Sequence, residues 1–180
     1  HHQLSQVKLW LIIFQITSYE MKHIYDNISQ ECSKNTTQTY STSFSLGIKA
    51  LNKELHQPIF NIYGFVRLAD EIVDTFHDYN KFELLRRFKQ DTIDAIEDKI
   101  SLNPILNSFQ ETVNRYQIDW SLIEAFLNSM EMDLEEQVYD KEKYQLYILG
   151  SAEVVGLMCL KVFVQGNDDD YNQLKPFAMK

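Results

Sequence analysis

The segment Gln57–His77, QPIFNIYGFVRLADEIVDTFH, constrains the fold more than any other part of the chain. At about 100° per residue, Phe65, Leu68, Ala69, Ile72, Val73 and Phe76 share one arc of a helix, and Tyr63, Arg67, Asp70 and Asp74 fall in a narrow stripe on the other. Pro58 suits the first turn, where a missing N–H costs nothing. A long helix with one apolar arc needs other helices to cover it. The sequence offers them, because 180 residues contain only 5 Gly and 3 Pro and so few chain breaks.

The same period recurs along the chain. Lys22–Lys34 reads as a short polar helix and Thr39–Leu51 as a second. Phe82–Ile100 is amphipathic through Phe82, Leu85, Phe88, Ile93 and Ile96. Asn103–Tyr116 carries Pro104 in its first turn, and Asp119 reads as the N-cap of a helix over Trp120–Gln137. Lys141–Val164 is the most apolar helix. Gly166–Asp170 reads as a loop, and Tyr171–Lys180 as the opening of a further helix with Pro176 near its start. The expected fold class is therefore all-α, with 21–180 the N-terminal part of a single domain. Residues 1–20, which precede the first methionine, Met21, are expected to be a non-native or extra N-terminal segment. The final helix has no closing signal, so the bundle is expected to be incomplete at its C-terminus.

The stripe on 57–77 is where chemistry can reside. Carboxylates at i and i+4 lie about 6 Å apart along a helix axis. That spacing suits Mg²⁺, a hard ion usually held by one or two carboxylates together with substrate phosphates. Arg67, one turn before Asp70, can offer a planar fork to phosphate oxygens. The same residues also describe an ordinary solvated face, and periodicity leaves both readings open. Asp74-Thr-Phe-His77 is no di-iron site, since the Glu-x-x-His pairs such bundles use are absent. A formal net charge of −9 excludes a basic nucleic-acid footprint. Cys32 and Cys159 stand far apart and outside any zinc spacing. The apolar runs Leu9–Phe14 and Val154–Val164 are too short to span a bilayer.

Three segments, in order, resemble the squalene/phytoene synthase family. Tyr40-Ser41-Thr42-Ser43-Phe44 is similar to its N-terminal Ser-x-Ser-Phe element. Arg67-Leu-Ala-Asp70-Glu-Ile-Val-Asp74 matches its first aspartate-rich motif, and Tyr147–Met158 resembles its signature helix. Met130-Glu-Met-Asp133-Leu looks like the segment preceding that helix. The resemblance implies an isoprenoid-synthase-type helical bundle around a central cavity. Asp70 and Asp74 would bind Mg²⁺ (Mn²⁺ as a substitute) and through it a prenyl diphosphate, which Arg67 and Ser41 or Ser43 would contact. Phe44, Ala152 and Val155 would line the prenyl pocket. Tyr147 would face the reaction centre, and Gly156 would allow close helix approach.

The implied activity is head-to-head condensation of two prenyl diphosphates, with two geranylgeranyl diphosphates giving phytoene through a cyclopropyl diphosphate. A farnesyl-using squalene or C30 synthase is the alternative within the family, and a non-catalytic assembly protein the alternative outside catalysis. A cytoplasmic location, with peripheral contact to the inner membrane for product release, is expected. This sequence departs from the family pattern at Ile148, where Cys is usual, and at Glu153, where Gly is usual. It also lacks the second aspartate-rich helix, for which Asp168–Asp170 is no substitute. The chain by itself is therefore expected to be inactive.

Overall fold

A computed structural model describes the backbone of residues 2–134 and 147–179, and the side chains of 21–134 and 147–179. The described residues form an all-α bundle. In chain order the helices are α1 (His2–Tyr40), α2 (Thr42–Lys49), α3 (Lys53–Asp74), α4 (Lys81–Asp98), α5 (Pro104–Tyr116) and α6 (Trp120–Leu134). A π-helical turn (Leu149–Glu153) leads into α7 (Val154–Phe163), and α8 (Asp168–Ala178) follows. Among the described residues no helix is long and apolar enough to cross a membrane.

Local chemistry sets the boundaries. Ser41 is extended and accepts a hydrogen bond from the Phe44 N–H at 3.3 Å, which separates α1 from α2. Asn103 caps α5 through the N–H groups of Ile105 and Leu106, with Pro104 at the first helical position. Asn80 caps α4. The Asp119 carboxylate accepts from the Ser121 N–H at 2.7 Å at the entry to α6, as the sequence predicts.

The apolar arc of α3 builds the core. Phe65 is fully buried and stacks on Phe109 of α5 with ring centroids 3.9 Å apart, while Phe88 of α4 and Phe126 of α6 each lie 5.5 Å away. Burying rings of this size is worth about 2–3 kcal/mol each. The crossings of α1 with α3 and α5 are small and polar instead. Ser33 and Ser108 share a hydrogen bond at 2.6 Å, and the Asn107 amide donates to Ser29 and Asp26. A Cβ on Gly64 would come within 2.8 Å of the Ser33 hydroxyl, so α1 and α3 approach as closely as they do only because residue 64 is glycine.

Several boundaries differ from those the sequence predicts. The helix at Lys22–Lys34 is part of the 39-residue α1, which runs on to Tyr40. The predicted loop at Gly166–Asp170 is the start of α8. Asn167 caps it by accepting from the Asp170 N–H at 3.0 Å, and Asp168, Asp169 and Asp170 form its first turn. Acidic side chains are favoured there by the partial positive charge of unsatisfied N–H groups. Pro176 consequently lies in the last turn of α8, not near its start. The predicted continuous helix over Lys141–Val164 is interrupted by the π turn, and residues 141–146 of it lie outside the described residues, as do 135–137 of the helix predicted over Trp120–Gln137. Lys161, buried in α7, pairs with Asp168 at 2.5 Å and lies 4.5 Å from the Tyr171 ring centroid, fastening α8 to the bundle.

Candidate active site

The stripe predicted on α3 exists. With Phe65, Ala69, Ile72 and Val73 buried on one side, Arg67 and Asp70 are left half-buried and Asp74 exposed on the other. Arg67 Nη1 stands 3.9 Å from Asp70 Oδ2, and Arg67 Nη2 donates to Glu71 Oε1. The guanidinium carbon lies 4.2 Å from the centroid of the Tyr40 ring, in cation–π contact. Arg67 Nε is buried and has no hydrogen-bond partner. Phe44, half-exposed, stacks on Tyr63 with centroids 4.9 Å apart, so two aromatic faces stand at the same end of the stripe.

Negative charge accumulates around Asp70. Burial, and the neighbouring carboxylates of Asp74, Asp133 and Glu71, push its carboxyl up to about 6 against the opposing pull of Arg67. A carboxyl so raised favours whatever brings positive charge to it. Burial acts in the same direction on Glu71, but the adjacent Thr75 hydroxyl, the Arg67 guanidinium and Tyr40 outweigh it and hold that carboxyl below the usual range. Burial works against the charge on Arg67, and Glu71 and Asp70 overcome it to hold the guanidinium more firmly protonated than usual. The donor set is carboxylate oxygen throughout, the chemistry of a hard divalent ion. Among the described residues no three acidic, histidine or cysteine side chains form a group able to hold an ion. The arrangement fits an ion whose remaining ligands come from a bound anion and water.

Asp133, at the end of α6, adds a carboxylate that the sequence reading left without a role. It accepts a hydrogen bond from the Tyr147 hydroxyl at 3.0 Å. Tyr147, Asp133, Asp70, Asp74 and Arg67 thus form one electrostatically connected group. Two further members were also missed from sequence, Tyr40 and Glu71. Tyr40 precedes the recognised Ser-x-Ser-Phe element, and Glu71 sits between the two motif aspartates. The signal available was i, i+4 spacing of Glu71 from Arg67, which marks an ion pair on any helix.

The helix after Tyr147 begins with the π turn, a local widening that recurs at functional sites. Ala152 is exposed and Val155 is half-buried against the core. Ser41 serves as the α2 cap and Ser43 is exposed. Gly156 does not mediate close helix approach, because a Cβ there would meet nothing within 4 Å. Gly150 does, since its Cβ would lie 2.7 Å from both the Ala125 carbonyl oxygen and the Ser129 Cβ of α6. Glu153 is half-buried and Ile148 is partly exposed.

Comparison with known proteins shows the family and the fold. The family model described as squalene/phytoene synthase matches residues 37–179. The chain is 26% identical over 155 residues to a chloroplastic phytoene synthase of Narcissus pseudonarcissus, covering 84% of this chain and 35% of that protein. It is 23% identical over 137 residues to 4,4'-diapophytoene synthase of Staphylococcus haemolyticus (73% and 47% covered). It is also 29% identical over 132 residues to presqualene diphosphate synthase of Sinorhizobium fredii (71% and 46% covered). The chain thus spans between about a third and a half of these relatives' lengths. In structure it resembles squalene synthase HpnC from Alicyclobacillus acidocaldarius, with a TM-score of 0.75 at 18% identity, covering 87% of this chain and 59% of that one.

Proposed function

From the chain's membership of the squalene/phytoene synthase family, we propose that it carries part of the active site of a Mg²⁺-dependent prenyltransferase that condenses two geranylgeranyl diphosphates head-to-head to phytoene. The observation that carries the reading is the Arg67–Asp70–Asp74–Asp133 cluster, with the Asp70 carboxyl raised to about 6 by burial and by its acidic neighbours. Such a site favours a bound cation and an anion bridged by it.

Asp70 and Asp74 would hold Mg²⁺, or Mn²⁺ in its place. Bound there, the ion would neutralise a diphosphate and ease its departure. Arg67 binds the diphosphate oxygens from one side and fixes its orientation, and the hydroxyls of Ser41 and Ser43 are available at the start of α2. The Tyr147 hydroxyl, oriented by Asp133, is placed to hold or relay a proton near the reacting carbons. The stacked rings of Phe44 and Tyr63 offer π faces to a developing allylic cation. Ala152 and Val155 supply apolar surface that excludes water from the prenyl chain. The product is a hydrocarbon, so peripheral contact with a membrane would receive it.

A C15 reading, with farnesyl diphosphate giving a presqualene or diapophytoene product, is supported by the similarity to enzymes with those names. The test is incubation with geranylgeranyl or farnesyl diphosphate and Mg²⁺, with and without NADPH, followed by product analysis. Binding of unreactive thiolo-diphosphate analogues is measured in parallel by calorimetry. Tighter binding of the C20 analogue by the chain is expected, and a C40 product where the second aspartate-rich helix is supplied. Absence of Mg²⁺-dependent binding of either analogue overturns the assignment, and a C30 product moves it to the second reading.

A further inference from the structure

Glu71 lies between Asp70 and Asp74 in sequence but faces elsewhere. One residue along α3 turns its side chain by about 100°, to the other flank of Arg67, where it is 12% exposed against 31% for Asp70. There it holds Arg67 Nη2, while the Tyr40 ring covers one face of the same guanidinium. Arg67 is thereby gripped by the last residue of α1 and by its own helix, with Nη1 left toward Asp70. An unconstrained arginine loses rotamer freedom when it binds an anion. A guanidinium already fixed by an ion pair and a ring has lost that freedom in advance.

We propose that Glu71 and Tyr40 are positioning residues for Arg67, which preset its guanidinium to receive a diphosphate beside Asp70, and that Glu71 is not a metal ligand. The inference rests on the proposed diphosphate site. Glu71 flanks Arg67 on the side opposite Asp70, and its carboxylate is already engaged by Arg67.

The experiment is a double-mutant cycle read by calorimetric binding of inorganic pyrophosphate with Mg²⁺ to the full chain. Glu71→Gln is expected to weaken binding about tenfold, and Tyr40→Leu several-fold, with Tyr40→Phe losing less than Tyr40→Leu because the ring is retained while the hydroxyl that supports Glu71 is lost. In an Arg67→Lys background the Glu71→Gln effect is expected to vanish, since Lys lacks the fork that Glu71 orients. A merely structural role predicts equal losses in both backgrounds, and that result overturns the inference. So does unchanged or tighter binding by Glu71→Gln. If the unaltered chain binds no pyrophosphate with Mg²⁺, the site assignment itself fails and takes this inference with it. If the unaltered chain binds and the cycle shows no coupling, only the inference fails. Direct calorimetry with Mg²⁺ alone separates the ligand question: Asp74→Asn should weaken it and Glu71→Gln should not.

Discussion

The Tyr147 hydroxyl donates to Asp133 Oδ2 at 3.0 Å, joining a residue of the signature segment to the last turn of α6. Asp133 in turn raises the Asp70 carboxyl. One carboxylate therefore both orients the phenol and adds negative charge next to the α3 stripe. Asp133→Asn should preserve much of the shape while removing the charge. The Asp70 carboxyl should then fall from about 6 toward its ordinary value, because a negative neighbour has been removed. Carboxyl-carbon NMR titration checks the shift. Where the second aspartate-rich helix is supplied, turnover in the proposed reaction should drop by about tenfold to a hundredfold, with Tyr147→Phe showing a comparable loss.

Asp70→Asn separates function from stability. Pyrophosphate binding with Mg²⁺ should fall by orders of magnitude. Stability should move the other way at neutral pH. The folded chain holds the Asp70 proton more tightly than the unfolded chain, so stability attributable to this group is fully present below about pH 4 and is lost as pH rises through 6. The displacement bounds the loss at about 3 kcal/mol, and partial exposure of the side chain reduces it to about 1–2 kcal/mol. Asp70→Asn should thus be more stable than the unaltered chain at pH 7.5 and not at pH 4. Urea denaturation at the two pH values measures the difference.

Proton and metal compete for Asp70. Mg²⁺ binding measured without pyrophosphate should strengthen as pH rises, by about tenfold per pH unit up to 6, and level off above it, since only the ionised carboxylate ligates. Calorimetry between pH 5 and 8 gives the profile. A midpoint near 4 would remove Asp70 from the ligand set.

The two glycines of the Tyr147–Met158 segment should behave oppositely. Gly150→Ala places a methyl 2.7 Å from the Ala125 carbonyl oxygen, a backbone atom that cannot step aside. It should cost about 2–3 kcal/mol. Gly156→Ala meets nothing within 4 Å in the first turn of α7, which continues directly from the π turn, and should stabilise the chain by about 0.5–1 kcal/mol through helix propensity. Thermal denaturation of the two variants provides the comparison.

Much of the fold is legible in the pattern of residues. Phe65, Ala69, Ile72 and Val73 recur at helical spacing, and burial follows that spacing because a helix covered on one side must place its apolar side chains there. The caps at Ser41, Asn80, Asn103 and Asp119 are local events within three residues of chain, so sequence specifies them. The run Asp168–Asp170 was misread because three adjacent acids have no helical period of their own. The Asn167 cap, as local as the others, was passed over, and the buried Lys161 that Asp168 meets is not visible as a pattern; together they make these acids the first turn of α8.

For the site, the sequence by itself determined the placement of Arg67, Asp70 and Asp74 on one stripe, since a single helix with a fixed 3.6-residue turn decides it. Only the tertiary structure decided which other groups share their field. Tyr40, Asp133 and Tyr147 arrive from α1, from α6 and from the residues just before the π turn, separated from α3 by tens of residues. Their approach depends on how closely helices can cross, and that is set by Gly64 against Ser33 and Gly150 against Ala125. Helical period acts along one chain segment, whereas a carboxylate is raised to about 6 by burial and by neighbours in space, which no period encodes.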